Sequence, residues 1–445
     1  MLQQEENHYY HLRRRAAQPS VSGEAGTRGL AAASGVFSFA NNDSSQLAGT
    51  FFRASLWPYL TFLYFLAGSR TRIPPVANFG FQYVLLFVVM TIVGGILAQS
   101  KYQVSLADSD WLHGTSESLL TVSNIIIVYG LQDCIVVMDR HNNNSQHASS
   151  VLPPRRFAVT SALALLWSAM CLLCVCLGTA TLGWGVHSQL LGGFGNLNVT
   201  MPWAKHPEPV NALSIPTWIV HWSSVYEYVF AMYLVWQFAD TTRNPTWKGL
   251  TLGMIPLHAS SICAVTHHFF YNAPELQFLV SLQAFLTLMG NCTTMIAAFR
   301  IATTVGWTWE SMMMQVCCCE FSPPNVGNDD SEQSADVIAE TEEHLPQSAG
   351  TAHSSMWYLL FKLIVLVVTT SYLVKYGELG LDLPFEPNSG VALGIVVGIP
   401  CLTTLPYIYW SIMAHREVPT ISEESHHLVN GANSSNGYGT QSYSS

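Results

Sequence analysis

Apolar runs recur along the chain, each closed by a short polar turn. They lie near 50–67, 79–99, 112–137, 157–184, 216–239, 247–270, 275–301, 355–374 and 391–413. A helix of about 20 such residues spans the hydrocarbon core of a bilayer. No period-two alternation competes with these runs, so the pattern predicts an all-α polytopic membrane protein with about nine transmembrane helices. The first run is short and carries Arg53 and Pro58. The ninth carries Pro400 and Pro406, which membrane helices tolerate where neighbours satisfy the freed carbonyls. Residues 1–48 and 415–445 are polar and aperiodic and read as disordered, as does the loop 302–354.

Composition sharpens this picture. Charged residues make up 10% of the 445, against about 25% in an average soluble domain. That deficit is what repeated passage through hydrocarbon demands. Much of the net charge of -10 sits in the 302–354 loop, on Asp329, Asp330, Glu332, Asp336, Glu340, Glu342 and Glu343. With no basic patch elsewhere, nucleic-acid binding is excluded from the expected functions, and the expected partners are the lipid bilayer and other membrane proteins. Cys171, Cys174 and Cys176 fall inside an apolar run and read as small hydrophobes. Cys317, Cys318 and Cys319 read either as free thiols or as a juxtamembrane S-acylation cluster.

Lys and Arg also set an orientation. Arg70, Arg72, Arg140, Arg155, Arg156, Arg243, Lys248, Arg300 and Arg416 fall on one side of the predicted topology. Only Arg53, Lys101, Lys205 and Lys375 fall near the membrane on the other side. The first side is expected to be cytosolic or stromal.

The chain repeats itself weakly. The turn after the first span, SRTRIPP at 69–75, resembles DTTRNPT at 240–246. WLHGTSESLLTVSN at 111–124 aligns with FLVSLQAFLTLMGN at 278–291, placing Asn124 opposite Asn291. The expected organisation is a three-helix unit at 49–138, a linker helix at 157–184, a second three-helix unit at 215–301 and a helix pair at 355–414. The two units would be parallel repeats about an axis along the membrane normal.

The stretches HWSSVYEYVFAMYLVWQFA, NPTWKGLTLGMIPLHASSICAVTHHFFYN and LVSLQAFLTLMGN resemble the Ycf-forty-nine-like family, three-span membrane proteins of unknown function from cyanobacteria and plastid-bearing organisms. The resemblance covers about 215–301. The segment at about 57–135, with LADSDWLHGTSESLLTVSNIIIVYG, is similar to a second short unknown-function family of the same organisms. These resemblances imply a plastid or thylakoid membrane and no established activity. A secretory-pathway membrane is the alternative.

Polar residues inside the apolar runs are the candidate chemistry. His113, Glu117, His221, Glu227, His258, His267 and His268 are the candidates for a cofactor-binding or proton-linked site. A carboxylate at the centre of a membrane helix costs about 3 kcal/mol, so Glu117 and Glu227 need a proton, a histidine or a cation. Asn124, Gln283, Thr287 and Asn291 form stripes that read as interhelical hydrogen-bond glue. Three function classes stay open. The first is a non-catalytic scaffold, assembly or cofactor-holding protein, with pigment, haem or metal held through histidine. The second is a proton-linked small-solute transporter. The third is an intramembrane metal enzyme using His221, Glu227, His258 and His268, although no HExxH or HxxxH pair fixes two ligands on one helix.

Overall fold

The computed structural model describes residues 41–68, 71–143, 154–180, 185, 202–209, 211–310 and 349–416. The Cys317–Cys319 cluster, the acidic stretch 320–343 and most of both termini lie outside the described residues. The described chain is helical: α1 Asn41–Leu66, α2 Pro75–Leu97, α3 Asp110–Asn143, α4 Pro154–Ala180, α5 Ile215–Thr241, α6 Thr246–Gly253, α7 Ile255–Phe269, α8 Phe278–Thr304, α9 Ala349–Gly377 and α10 Ser389–Arg416. Pro256 in the first turn of α7 marks its break from α6, because proline lacks the N–H that would continue the ladder.

Among the described residues, seven helical segments are long and apolar enough to cross a membrane. These are α2 with its extension to Tyr102, α3, α4, α6 with α7, α8, α9 and α10. By apolarity alone the count is therefore seven rather than about nine. The two long helices left out are α1, which carries Arg53, and α5, which carries His221, Ser223, Ser224, Glu227 and Gln237.

Burial explains the composition of α5. Fifteen of its 27 residues are buried, and it packs against α3, α6, α7 and α9. Its polar groups thus face protein rather than lipid. The outer helices show the opposite pattern: Leu163 and Leu173 of α4, Phe361 and Leu373 of α9 and Leu402 of α10 are all more than half exposed. Apolar surface of that extent is what a bilayer covers.

The core has two parts, and α5 runs through both. One gathers Phe62 and Leu66 of α1, Phe81 of α2, Leu131 of α3, Met232 and Phe238 of α5, Trp247 of α6 and Ile301 of α8. The other gathers Trp218 and Val225 of α5, Ile262 and Cys263 of α7, Leu279 of α8 and Ala392 and Val396 of α10. Between α2 and α3 the backbones nearly touch. A Cβ on Gly130 would stand 2.4 Å from the amide nitrogen of Ala77, so only glycine permits the crossing.

Interhelical hydrogen bonds follow a recurring scheme. Asn124 of α3 donates to the Ser224 carbonyl of α5 at 3.5 Å, and Asn291 of α8 donates to the Ser55 carbonyl of α1 at 3.0 Å. One turn after each of those serines, Tyr59 donates to the Phe81 carbonyl of α2 at 2.7 Å and Tyr228 to the Met254 carbonyl at 3.3 Å. Arg72 and Arg243, in the turns that follow α1 and α5, both take left-handed backbone angles, φ 58° and φ 53°.

Candidate functional site

The site begins at the start of α3 and α5. Ser214 caps α5, its hydroxyl accepting from the Thr217 amide, with Pro216 in the first turn. The Ser214 amide donates to Asp110 Oδ1 at 2.8 Å, and the Thr217 hydroxyl donates to the Asp110 carbonyl at 3.3 Å. These bonds lock the first turns of α3 and α5 in register. Gly114 lets the helices close: a Cβ there would stand 2.5 Å from Thr217 Oγ1. His113 is thereby pressed against His221.

The third histidine arrives from the end of α7. Tyr271 and Asn272 adopt successive left-handed angles that stop the helix. Asn272 Nδ2 then donates to the Ala107 carbonyl at 3.0 Å and to Asp108 Oδ1 at 2.9 Å, just before α3. Asn211 donates to the Tyr271 carbonyl from the other side. The last turn of α7 is so pinned beside the first turn of α3.

His113, His221 and His268 form one buried cluster in which one ring nitrogen from each lies within 4.8 Å of the others. Ring centroids stand 5.0 Å apart for His113 and His221, 4.9 Å for His113 and His268, and 4.7 Å for His221 and His268. The Nε2 atoms of His113 and His221 face each other at 3.1 Å. Glu117, one turn after His113, puts Oε2 3.2 Å from His221 Nδ1 and Oε1 3.8 Å from His113 Nε2. The tautomer of His221 with its proton on Nδ1 would donate to Glu117 and turn the Nε2 lone pair into the cluster. The Nδ1 atoms of His113 and His268 are buried without a hydrogen-bond partner.

The other candidates lie outside this trio. His267 is buried beside His268, ring centroids 6.0 Å apart, with Nε2 unpartnered. Glu227 is 1% exposed, and its Oε2 has no partner. His258 is fully buried, lies parallel to the Tyr228 ring at 6.5 Å, and bonds through neither ring nitrogen. Thr287 meets the Ser260 hydroxyl at 2.8 Å, and Ser260 in turn donates to the Gln283 carbonyl at 3.0 Å. Thr287, like Asn124 and Asn291, links helices through its side chain, whereas Gln283 takes part through its backbone carbonyl. Sequence reasoning missed a further polar group: Lys375 of α9 is buried, paired with Glu208, and donates to the Leu213 carbonyl at 2.7 Å. The signal available was a lysine closing an apolar run, three residues before Glu378.

Residues 212–300 match a family described as protein of unknown function DUF2499, and residues 48–136 match a family described as protein of unknown function DUF3593. A Ycf49-like protein of Synechocystis sp. is 49% identical over 92 residues, covering 21% of this chain and 88% of the relative. The uncharacterized protein ycf49 of Cyanophora paradoxa is 38% identical over 84 residues, covering 19% of this chain and 82% of the relative. The chain belongs to the Ycf49-like family. No solved structure matches it. The Ycf49-like segment contributes His221 and His268, while the other matched segment contributes His113 and Glu117. The cluster therefore exists only where the two segments meet.

Proposed function

We propose that this protein is a non-catalytic, cofactor-holding component of a plastid or thylakoid membrane, in which two three-helix units enclose one histidine site. The observation that carries the reading is the buried three-histidine cluster assembled from both family segments and closed by Glu117. Membership in a family found in Synechocystis and Cyanophora supports the choice of membrane.

The architecture we infer has nine spans, with α1 and α5 crossing beside the seven apolar segments. The burial of α5 among α3, α6, α7 and α9 supports this, because shielded polar residues do not meet lipid. Parallel repeats are supported by the matched bonds from Asn124 to Ser224 and from Asn291 to Ser55, and from Tyr59 and Tyr228 to the following helix.

The test is purification from the native membrane in mild detergent, with an absorption spectrum and mass spectrometry of what remains bound. A stoichiometric group, lost in a His221→Ala variant that still elutes as wild type, is the expected result. A protein that retains nothing, with spectra unchanged by the substitution, would leave the scaffold role alone.

A second reading, a proton-linked transporter, is favoured by one observation: the unpartnered Oε2 of buried Glu227. Glu227→Gln keeps shape and removes the charge. On this reading it abolishes proton-coupled uptake into vesicles while expression and folding persist. Unchanged uptake, with Glu227→Leu destabilising the protein, makes Glu227 structural.

A further inference from the structure

We propose that His113, His221 and His268 bind one divalent first-row transition-metal ion, with Glu117 as the residue that orients His221. This rests on reading the cluster as a holding site, and adds which group it holds and how.

The geometry points to a metal in four ways. Two imidazole nitrogens at about 2.0–2.1 Å from a tetrahedral ion stand about 3.3 Å apart. The Nε2 atoms of His113 and His221 are at 3.1 Å, close to that edge without further movement of the helices. His268 completes a three-nitrogen face, its ring within 5 Å of both others.

The second point is the carboxylate behind the ligand. Metal-bound histidines donate their remaining N–H to a carboxylate or carbonyl, which fixes the tautomer and raises ligand basicity. Glu117 at 3.2 Å from His221 Nδ1 is placed for that role. The ion would leave one coordination position for water or for Glu117 Oε1.

Third, the ligands come from three helices already clamped together. The bonds from Ser214 to Asp110 and from Asn272 to Asp108, and the Gly114 contact, hold the histidines in place through backbone and neighbouring side chains. The ion would thus enter a site that packing has preorganised.

Fourth, the donor set discriminates among ligands. Three imidazoles suit zinc, copper, nickel, cobalt or iron. Magnesium and calcium require oxygen donors, and no thiol joins this cluster. Rings packed with centroids at 4.7–5.0 Å leave no room for a macrocycle plane between any two of them, which argues against haem or chlorophyll at this position.

The experiment uses the full chain, purified in detergent with a tag that lacks histidine, stripped with chelator and titrated with Co²⁺ and then Zn²⁺. The expected result is one equivalent of Co²⁺ with visible d–d bands, displaced by Zn²⁺. His221→Ala and His268→Ala should each abolish those bands, while Glu117→Gln should weaken affinity roughly 10–100-fold. His206→Ala, in an exposed loop, should bind as wild type. Since alanine variants can misfold, His268→Gln, which keeps hydrogen bonding, must also lose the bands at an unchanged elution volume. Absence of Co²⁺ and Zn²⁺ binding overturns the proposal, as does binding that survives His221→Ala. If the chain binds no ion but carries an organic group lost in His221→Ala, the metal assignment falls and the holding site stands. If it holds neither, both fall.

Discussion

His221 is the residue on which the site depends. It meets His113 and Glu117 from one unit and His268 from its own, and it is 3% exposed. At the same scale, an exposed contact supports a prediction about acid. Asp382, in the turn between α9 and α10, pairs with His206 at 3.1 Å and Lys205 at 3.4 Å. The His206 hydrogen bond first, and the Lys205 ammonium second, hold its carboxyl below the usual carboxylate range. A folded value below the unfolded one, about 3.9, gives stability that is present above that pH and lost as pH falls through the folded value. Hydrogen-exchange protection factors in the 202–209 segment, corrected for the intrinsic pH dependence of exchange, should therefore fall below about pH 4 in the wild type. Asp382→Asn should show the lower protection already at neutral pH, with little further change on acidification. Equal pH profiles for the two proteins would show that this pair does not hold the segment.

At the scale of elements, the crossing of α2 and α3 is the least forgiving contact. Gly130→Ala pushes a methyl into the Ala77 backbone, and overpacking of this kind costs about 1–3 kcal/mol or more. Thermal unfolding in detergent should show a lowered midpoint. Gly95→Ala, in the partner helix α2 and where a Cβ meets open space, should leave the midpoint nearly unchanged. Helices were the legible part of the sequence. The nine apolar runs near 50–67 through 391–413 each coincide with a helical segment, because a run of that length in hydrocarbon has few other ways to satisfy its backbone. What the runs do not encode is which helix lies innermost. The polar positions of α5 hinted at it, since Glu227 and His221 require company. The pairing of His113 with His221 and His268 was not legible, however. Spacing along one helix relates Ser223 to Glu227, but the cluster is set by Asp110 meeting Ser214 and Asn272 meeting Asp108, across more than 100 residues. Glu227 and His258 attracted attention by depth, and the fold places them outside the trio.

For the whole molecule, the Lys and Arg asymmetry predicts an orientation, with the 302–354 loop on the cytosolic or stromal side. Protease added to sealed right-side-out vesicles should spare the 302–354 loop and reach the 185–214 segment. The converse pattern of cleavage would invert the topology. On the proposed reading, two segments, each matching a separate family of unknown function, are joined in one chain to enclose a metal between them. The most direct test of that reading is the metal content of the protein as isolated from its own membrane, measured by elemental mass spectrometry for the wild type, His113→Ala and His221→Ala. One substitution lies in each segment. About one transition-metal ion per chain is expected in the wild type, with loss from both variants at unchanged elution volume. A wild type without metal, or a variant that keeps its ion, would contradict the reading.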